Sequence, residues 1–235
     1  MRLLPLRLRF KAALWTARAL QPLVRRSRVY AARKRLLTDG VRATSLDLVL
    51  MLLTRYGTPF DPIMTIRGAE LIDGPDARCS SLFVGPHTML SRLLYRRAHD
   101  RGLEPASIAA TPFRISGTRT EGRVLLAPSR TLLVKAREVF AAGGTVFAFI
   151  DRGSVERRNR ILVTSRGNFL VSTALLEVAL RQHVRLVFMA VTVDERWRVV
   201  ASLEKPSQEA TATIGGLLDE FGGFIDRHVI GDAAK

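Results

Sequence analysis

Short apolar runs alternate along this chain with longer segments whose apolar positions recur at helical spacing. The apolar runs have the length of strands and occupy residues 81–85, 145–150 and 185–193. The helix-like segments occupy residues 88–101, 129–142 and 168–182. Fully apolar strands separated by helices are typical of a sheet that is covered on both faces. The pattern therefore predicts one α/β domain with a mostly parallel or mixed central sheet flanked by helices.

The remaining elements are shorter and are read from the same pattern. Strands are predicted at residues 63–67, 104–110, 160–165 and 197–203, a single helical turn at 68–74, and a closing helix at 208–228. Residues 111–128 are rich in Gly, Ser, Thr and Arg, and we expect them to form an irregular loop of the kind that borders functional sites.

Charge divides the chain into two parts. The formal net charge is +16, and residues 1–38 contain eleven Lys or Arg and no acidic residue, which leaves +5 for the rest. We therefore separate a basic amphipathic segment, residues 1–38, from an α/β domain, residues 39–235. The uncharged runs of the basic segment are too short for a signal peptide or a membrane-spanning helix.

The basic segment has the pattern of a helix that lies on a membrane surface. On a helical wheel one stripe is basic and the opposite side is apolar: Arg7, Lys11, Arg18 and Arg25 against Leu6, Ala13, Ala17, Leu20 and Val24. This pattern is typical of helices at the interface of an anionic bilayer. The alternative is a solvated helix that packs on its own domain, and Pro22 must kink or end it.

Nucleic acid is the rival partner for so basic a chain. Only 7% of the residues are aromatic, and no nucleic-acid-binding motif occurs. Apolar residues between the arginines suit lipid better than a phosphate backbone, so we expect an anionic membrane and no nucleic acid.

Polar candidates follow three predicted strands, where ligands collect in α/β sheets. The three strand ends are Gly85-Pro86-His87, Ile150-Asp151-Arg152 and Thr164-Ser165-Arg166. His87 is a candidate general base if another group orients its second ring nitrogen, and the alternative is a structural histidine. Asp151 and Arg152 form either ion pairs with neighbours or a wall of the site. Arg166 either binds an anionic substrate group or is a surface charge.

Other residue types give weaker indications. Cys79 is the only cysteine, so an intramolecular disulfide is excluded, and we expect a buried structural residue. His99, His183 and His228 are interpreted as surface or packing residues, and no pair has the spacing of metal ligands. No dinucleotide-binding glycine motif occurs.

Four stretches in this order resemble the bacterial lysophospholipid acyltransferase superfamily, in particular its lipid A lauroyl/myristoyl acyltransferase-like branch. They are residues 65–71 with the strand into His87, residues 90–102, residues 131–151, and residues 163–166 with the helix and strand that follow. The resemblance covers about residues 63–200.

The resemblance implies transfer of a fatty acyl group from an acyl carrier protein or CoA thioester to a hydroxyl or amine of an amphiphilic acceptor. It implies no cofactor besides the acyl donor, and a location on the cytoplasmic face of the inner membrane. The family's motif is His-x4-Asp/Glu, with the histidine as base; counting from His87 gives Arg92 in place of the acid.

The missing acid leaves two interpretations open. In the first, Asp151 or Glu121 replaces the acid, or the backbone holds the His87 imidazole. Backbone N–H groups at residues 85–88 then form an oxyanion hole, and Arg92, Arg152, Ser165 and Arg166 contact substrate. In the second, the protein is a non-catalytic acyl- or lipid-binding accessory with a degenerate site.

Overall fold

The computed structural model describes residues 64–86, 91–109, 122–126, 131–150, 159–165, 167–193 and 198–230, together with Leu8, Ala12, Trp15, Thr16, Ala19 and Leu23. The strands among these residues are β1 (Thr65–Arg67), β2 (Ser81–Gly85), β3 (Ala106–Ala109), β4 (Arg123–Leu126), β5 (Thr145–Phe149), β6 (Asn159–Thr164), β7 (Gly167–Ser172), β8 (Arg185–Val193) and β9 (Val199–Glu204). Between residues 64 and 230 the α-helices with described bounds are α1 (Glu70–Asp73), α2 (Ser91–Asp100), α3 (Leu132–Ala141), α4 (Ala174–Arg181) and α5 (Ile214–Ile225), and a π-helical turn, Asp226–Ile230, follows α5.

Seven of these strands form one mixed sheet in the order β1-β9-β8-β2-β5-β3-β4. The five strands from β8 to β4 are parallel to one another, and β9 turns back antiparallel to β8. The predicted α/β domain with a mostly parallel, mixed sheet is therefore confirmed. No helix among the residues described is long and apolar enough to cross a membrane.

Each face of the sheet carries its own apolar core. On one face α3, α4 and α5 pack against alternate residues of the central strands, such as Leu82 and Val84. On the other face α2 packs against the intervening residues, Phe83 and Phe147, whose rings lie 4.8 Å apart. The alternation follows from the two-residue period of a strand, and it explains why the central strands are apolar throughout.

Two predicted elements were wrong. Residues 168–182 were expected to form one helix, but Gly167–Ser172 is a strand that pairs antiparallel with β6, and α4 begins only at Ala174. The expected irregular loop at 111–128 contains β4, which extends the parallel sheet beside β3. In both cases pairing with a distant or neighbouring strand outweighed the local pattern.

Cys79 was also predicted incorrectly. It is exposed, because it lies in the connection before β2 rather than inside that strand. The three histidines outside the proposed site agree better with their interpretation as surface or packing residues. His99 is half-buried on α2, His183 is exposed, and His228 packs on the ring of Phe224.

Candidate functional site

The strands β2 and β5 end side by side at the carboxyl edge of the sheet. They are parallel neighbours in register, so that Gly85 lies beside Phe149. The next residue of β5, Ile150, donates its N–H to the Gly85 carbonyl at 3.3 Å. Pro86 and Ile150 are both buried at this point. The chain therefore leaves the sheet from two adjacent positions.

The segments after β2 and β5 lead to opposite faces of the sheet. The helix that follows β2 is α2, which packs with Phe83 and Phe147. The helix after β5 and its hairpin is α4, which packs on the other face with Leu82 and Val84. In open α/β sheets a crevice forms where neighbouring strands send their connections to opposite faces, and ligands bind there. The carboxyl ends of β2 and β5 are such a switch point.

Gly85 is required where it stands because β8 approaches closely. A Cβ at this position would lie 2.3 Å from the backbone oxygen of Met189 and 2.8 Å from its side chain. Pro86, which follows, has no N–H. Of the backbone groups at residues 85–88 that were expected to form an oxyanion hole, Pro86 therefore cannot donate.

Most of the predicted site residues lie outside the described residues. This holds for His87, Glu121, Asp151, Arg152 and Arg166. Arg92 is described only in its backbone, as the second residue of α2. By chain position, His87 follows Pro86 and Asp151 follows Ile150.

Ser165 is described, and it lies elsewhere than expected. The strand before it, β6, belongs to a separate two-stranded hairpin and not to the main sheet. The Ser165 hydroxyl and its backbone N–H both donate to the Asp226 carboxylate, at 2.8 and 2.9 Å. The hairpin meets the main sheet at its other end, where the Ser172 N–H donates to the Ile150 carbonyl at 3.2 Å. The five steps from Gly167 to Ser172 put Ser165 about 17 Å along the hairpin from that junction.

The structure adds one polar pair that sequence reasoning missed. Thr173 is fully buried just after β7, beside the end of β5, and its hydroxyl lies 3.1 Å from Oε1 of Glu177. Glu177 is in the first turn of α4 and is largely buried. The Thr-x3-Glu spacing of a helix start was hidden because the helix was predicted to begin at residue 168.

Another charged cluster lies beside β8, where Glu204 of β9 pairs with Phe188. Glu204, at the end of β9, is bound by His228 and Arg227. Burial raises the pKa of Glu204, but the hydrogen bonds and charges of these two partners lower it more, so its pKa is below the ordinary value. His228 thus has a structural partner, consistent with the expected packing role.

Among the residues the structure describes, no group of three His, Cys, Asp or Glu side chains could hold a metal ion. No model of a known protein family matches the chain, and no curated protein matches it.

Proposed function

We propose that this protein transfers a fatty acyl group from an acyl carrier protein or CoA thioester to a hydroxyl or amine of an amphiphilic acceptor at a membrane surface. Its fold is proposed to be that of the glycerolipid acyltransferases, in keeping with the sequence resemblance. One observation carries the proposal: His87 and Asp151 both follow directly from the switch point at the ends of β2 and β5.

The register of the strands supports pairing these two residues. Gly85 lies beside Phe149, and two residues further along each chain are His87 and Asp151. Neighbouring strands are about 4.8 Å apart, and consecutive Cα atoms about 3.8 Å. Chain geometry therefore allows the Asp151 carboxylate to accept the ring N–H of His87 and to take the role of the acid that Arg92 replaces.

Glu121 fits the same role less well. It stands two positions before β4 begins at Arg123, and β4 runs parallel to β3 and β5. The start of β4 is therefore at the amino edge of the sheet, across the length of the strands from Pro86 and Ile150. Asp151→Asn should reduce turnover about 10-fold or more, whereas Glu121→Gln should leave it within about 2-fold. The reverse result would contradict the assignment.

The proposed chemistry uses His87 as general base. Its unprotonated ring nitrogen takes the proton from the acceptor hydroxyl or amine as that atom attacks the thioester carbonyl. Backbone N–H groups at the start of the segment after Pro86 stabilise the oxyanion of the tetrahedral intermediate. The C–S bond then breaks, the acyl group stays on the acceptor, and the departing sulfur takes the proton from His87. Arg152 and Arg166 are proposed to contact the anionic groups of the substrates.

Arg92 gives the second candidate function its support. A cation in place of the motif acid cannot accept a histidine N–H. If the site is degenerate, the same fold binds an acyl chain or lipid without turnover. Arg92→Glu distinguishes two roles of this residue. If Arg92 only displaces the acid, the change should preserve or raise turnover. If Arg92 contacts the anionic donor, the change should abolish binding of that donor.

The N-terminal segment is the part of the chain that we propose to bind the membrane surface. Its described residues are helical, and Leu8, Trp15 and Leu23 are 49%, 75% and 66% exposed. Their spacing puts them on one side of a helix. The apolar residues that we predicted opposite the basic stripe, Leu6, Ala13, Ala17, Leu20 and Val24, lie outside the described residues. Deleting residues 1–38 should abolish sedimentation with anionic vesicles, and unchanged sedimentation would place the anchor elsewhere.

The proposed activity is tested directly with purified full-length protein. Acyl carrier protein and CoA thioesters of several chain lengths are incubated with hydroxyl- and amine-bearing amphiphiles, and release of the free thiol is measured. We expect acceptor-dependent release with at least one pair and its loss in His87→Ala. Binding of acyl donor without release by the native protein would favour the accessory function.

A further inference from the structure

Glu177 is a largely buried carboxylate to which the proposed chemistry gives no role. Its side chain is 19% exposed, and the Thr173 hydroxyl donates to its Oε1 at 3.1 Å. The Arg181 guanidinium is 3.8 Å from Oε2, but the Arg181 side chain is 73% exposed, so solvent screens that attraction. Burying a carboxylate is costly unless polar groups bind it, so the Thr173 hydroxyl helps to hold the Glu177 side chain in place.

Thr173 connects the start of α4 to the end of β5. The Glu177 N–H donates to the Thr173 carbonyl at 2.9 Å, so the two residues are linked by their backbones as well as by their side chains. Thr173 is fully buried, and its hydroxyl does not cap the helix. One residue earlier, the Ser172 N–H donates to the Ile150 carbonyl at 3.2 Å. The position of Thr173 therefore affects how the Ser172 N–H meets Ile150.

The Ile150 carbonyl belongs to the peptide group through which the chain continues to Asp151. Because a peptide group is planar, a donor that holds this carbonyl also sets the direction of the bond from the peptide nitrogen to the next Cα. The Ile150 N–H, which belongs to the preceding peptide group, donates to the Gly85 carbonyl at 3.3 Å. The bond with β7 therefore acts on the peptide group that leads to Asp151, and the bond with β2 acts on the one before it.

We propose that Glu177 is a positioning residue, which through Thr173 and Ser172 sets the direction in which the chain leaves β5 toward Asp151. The inference rests on the proposed function for its effect on turnover, since Asp151 is there the acid that accepts the ring N–H of His87. A misplacement of about 1 Å at a reacting group can lower a rate about 100-fold, so a bond that fixes this direction affects the chemical step. Glu177 acts on the rate through Asp151 and is not itself a catalytic group.

Hydrogen exchange in the full chain tests the positioning without any turnover. The Ser172 and Ile150 amides report on the two bonds at the end of β5, and the amides of β8 serve as the reference. Relative to β8, we expect the Ser172 amide to exchange about 10-fold faster in Glu177→Met. Thr173→Val, which removes the same bond from its other end, should match it. Glu177→Gln should stay close to the native rate, because its amide oxygen still accepts from the Thr173 hydroxyl. Glu138→Met removes an exposed carboxylate from α3 and is the control.

Thiol release from acyl thioester tests whether the positioning acts through Asp151. We expect Glu177→Met to lower kcat about 10-fold at unchanged KM, and Glu177→Gln to recover most of that loss. In the double variant Asp151→Asn/Glu177→Met, kcat should equal that of Asp151→Asn alone, since a residue that acts through another has no effect once the other is removed. A residue that only stabilised α4 would show neither the recovery nor this dependence on Asp151.

Three results would overturn the proposal. One is unchanged Ser172 exchange in Glu177→Met and Thr173→Val, and another is a pair of kcat losses that multiply in the double variant. The third is a rise in KM in place of a fall in kcat, which would identify Glu177 as a substrate contact. If the native chain releases no thiol with any donor, the proposed function fails, and the exchange rates alone then decide whether Glu177 holds the end of β5.

Discussion

At the amino edge of the parallel strands, charged side chains are bound to one another and to the backbone, whereas the carboxyl edge of β2 and β5 ends in Gly85, Pro86 and Ile150. Arg185 at the first edge donates to the buried Ser81 hydroxyl at 3.0 Å and to the Leu71 carbonyl at 3.1 Å. Asp73 nearby accepts from Arg97 at 2.8 Å.

The difference separates residues that hold the fold from residues available for chemistry. Arg185 and Asp73 at the amino edge are hydrogen-bonded to their neighbours, so they stabilise the connections between strands and helices. At the carboxyl edge the strands stop at small or apolar residues, and the polar ones, His87 and Asp151, come just beyond. A substitution at the first edge should therefore change stability alone, and a substitution at the second should change function.

The largest loss of stability is expected from Arg185→Met. The change leaves the fully buried Ser81 hydroxyl and the Leu71 carbonyl without this charged donor, which should lower the free energy of unfolding by about 2–4 kcal/mol. Urea unfolding followed by circular dichroism measures it. Turnover per folded molecule should stay at the native level. A large fall in turnover would contradict the claim that side chains at the amino edge affect stability alone.

A smaller loss of stability, with a loss of function, is expected from Gly85→Ala. The added Cβ meets the Met189 backbone oxygen at 2.3 Å, so β2 and β8 must separate, at a cost of about 1–3 kcal/mol. Because the shift occurs where the chain turns toward His87, turnover should fall more than stability explains. Gly102→Ala is the control for turnover. A Cβ at Gly102 would have no atom within 4 Å, so the change adds only the strain of an alanine at a φ of +75°.

The smallest effect is a pH-dependent one at Glu204. Its pKa is lowered in the folded protein, so its interactions add stability above the ordinary value of 4.5 and lose it as the pH falls through the folded-state value. Thermal unfolding of Glu204→Gln should therefore differ from the native chain at pH 5–6, and the difference should shrink below pH 4.5. Asp219→Asn, an exposed carboxylate of α5, controls for the lost charge.

Local pattern was sufficient for the elements that dominate the core. The predicted bounds of β2 and β8 agree with the structure because each is an apolar run flanked by polar or turn residues. Pairing decided the elements that were missed. β7 has apolar residues on both of its faces, since Leu170 is exposed and Val171 is buried. In the sequence this pattern resembles the apolar face of a helix, and only the pairing of β7 with β6 identifies it as a strand.

The sequence predicted candidate residues individually, but it could not predict which strand ends lie next to one another. Strand ends marked His87 as a candidate base, Asp151 as a candidate acid and Ser165 as a candidate substrate contact. The structure pairs Gly85 with Phe149, the residues two positions before His87 and Asp151 in the chain, while the hairpin places Ser165 at Asp226. Both results depend on contacts between distant parts of the chain, such as the 61 residues between Ser165 and Asp226.

The comparison of two histidines tests the central claim most directly. His87 follows the carboxyl end of β2, and His228 binds Glu204, which pairs with Phe188 of β8. Thiol release from acyl thioester is measured for His87→Ala and His228→Ala under identical conditions. The account predicts that His87→Ala lowers the rate about 100-fold or more, whereas His228→Ala lowers only the unfolding temperature. Equal rates in native protein and His87→Ala, or loss of turnover specific to folded His228→Ala, would contradict it.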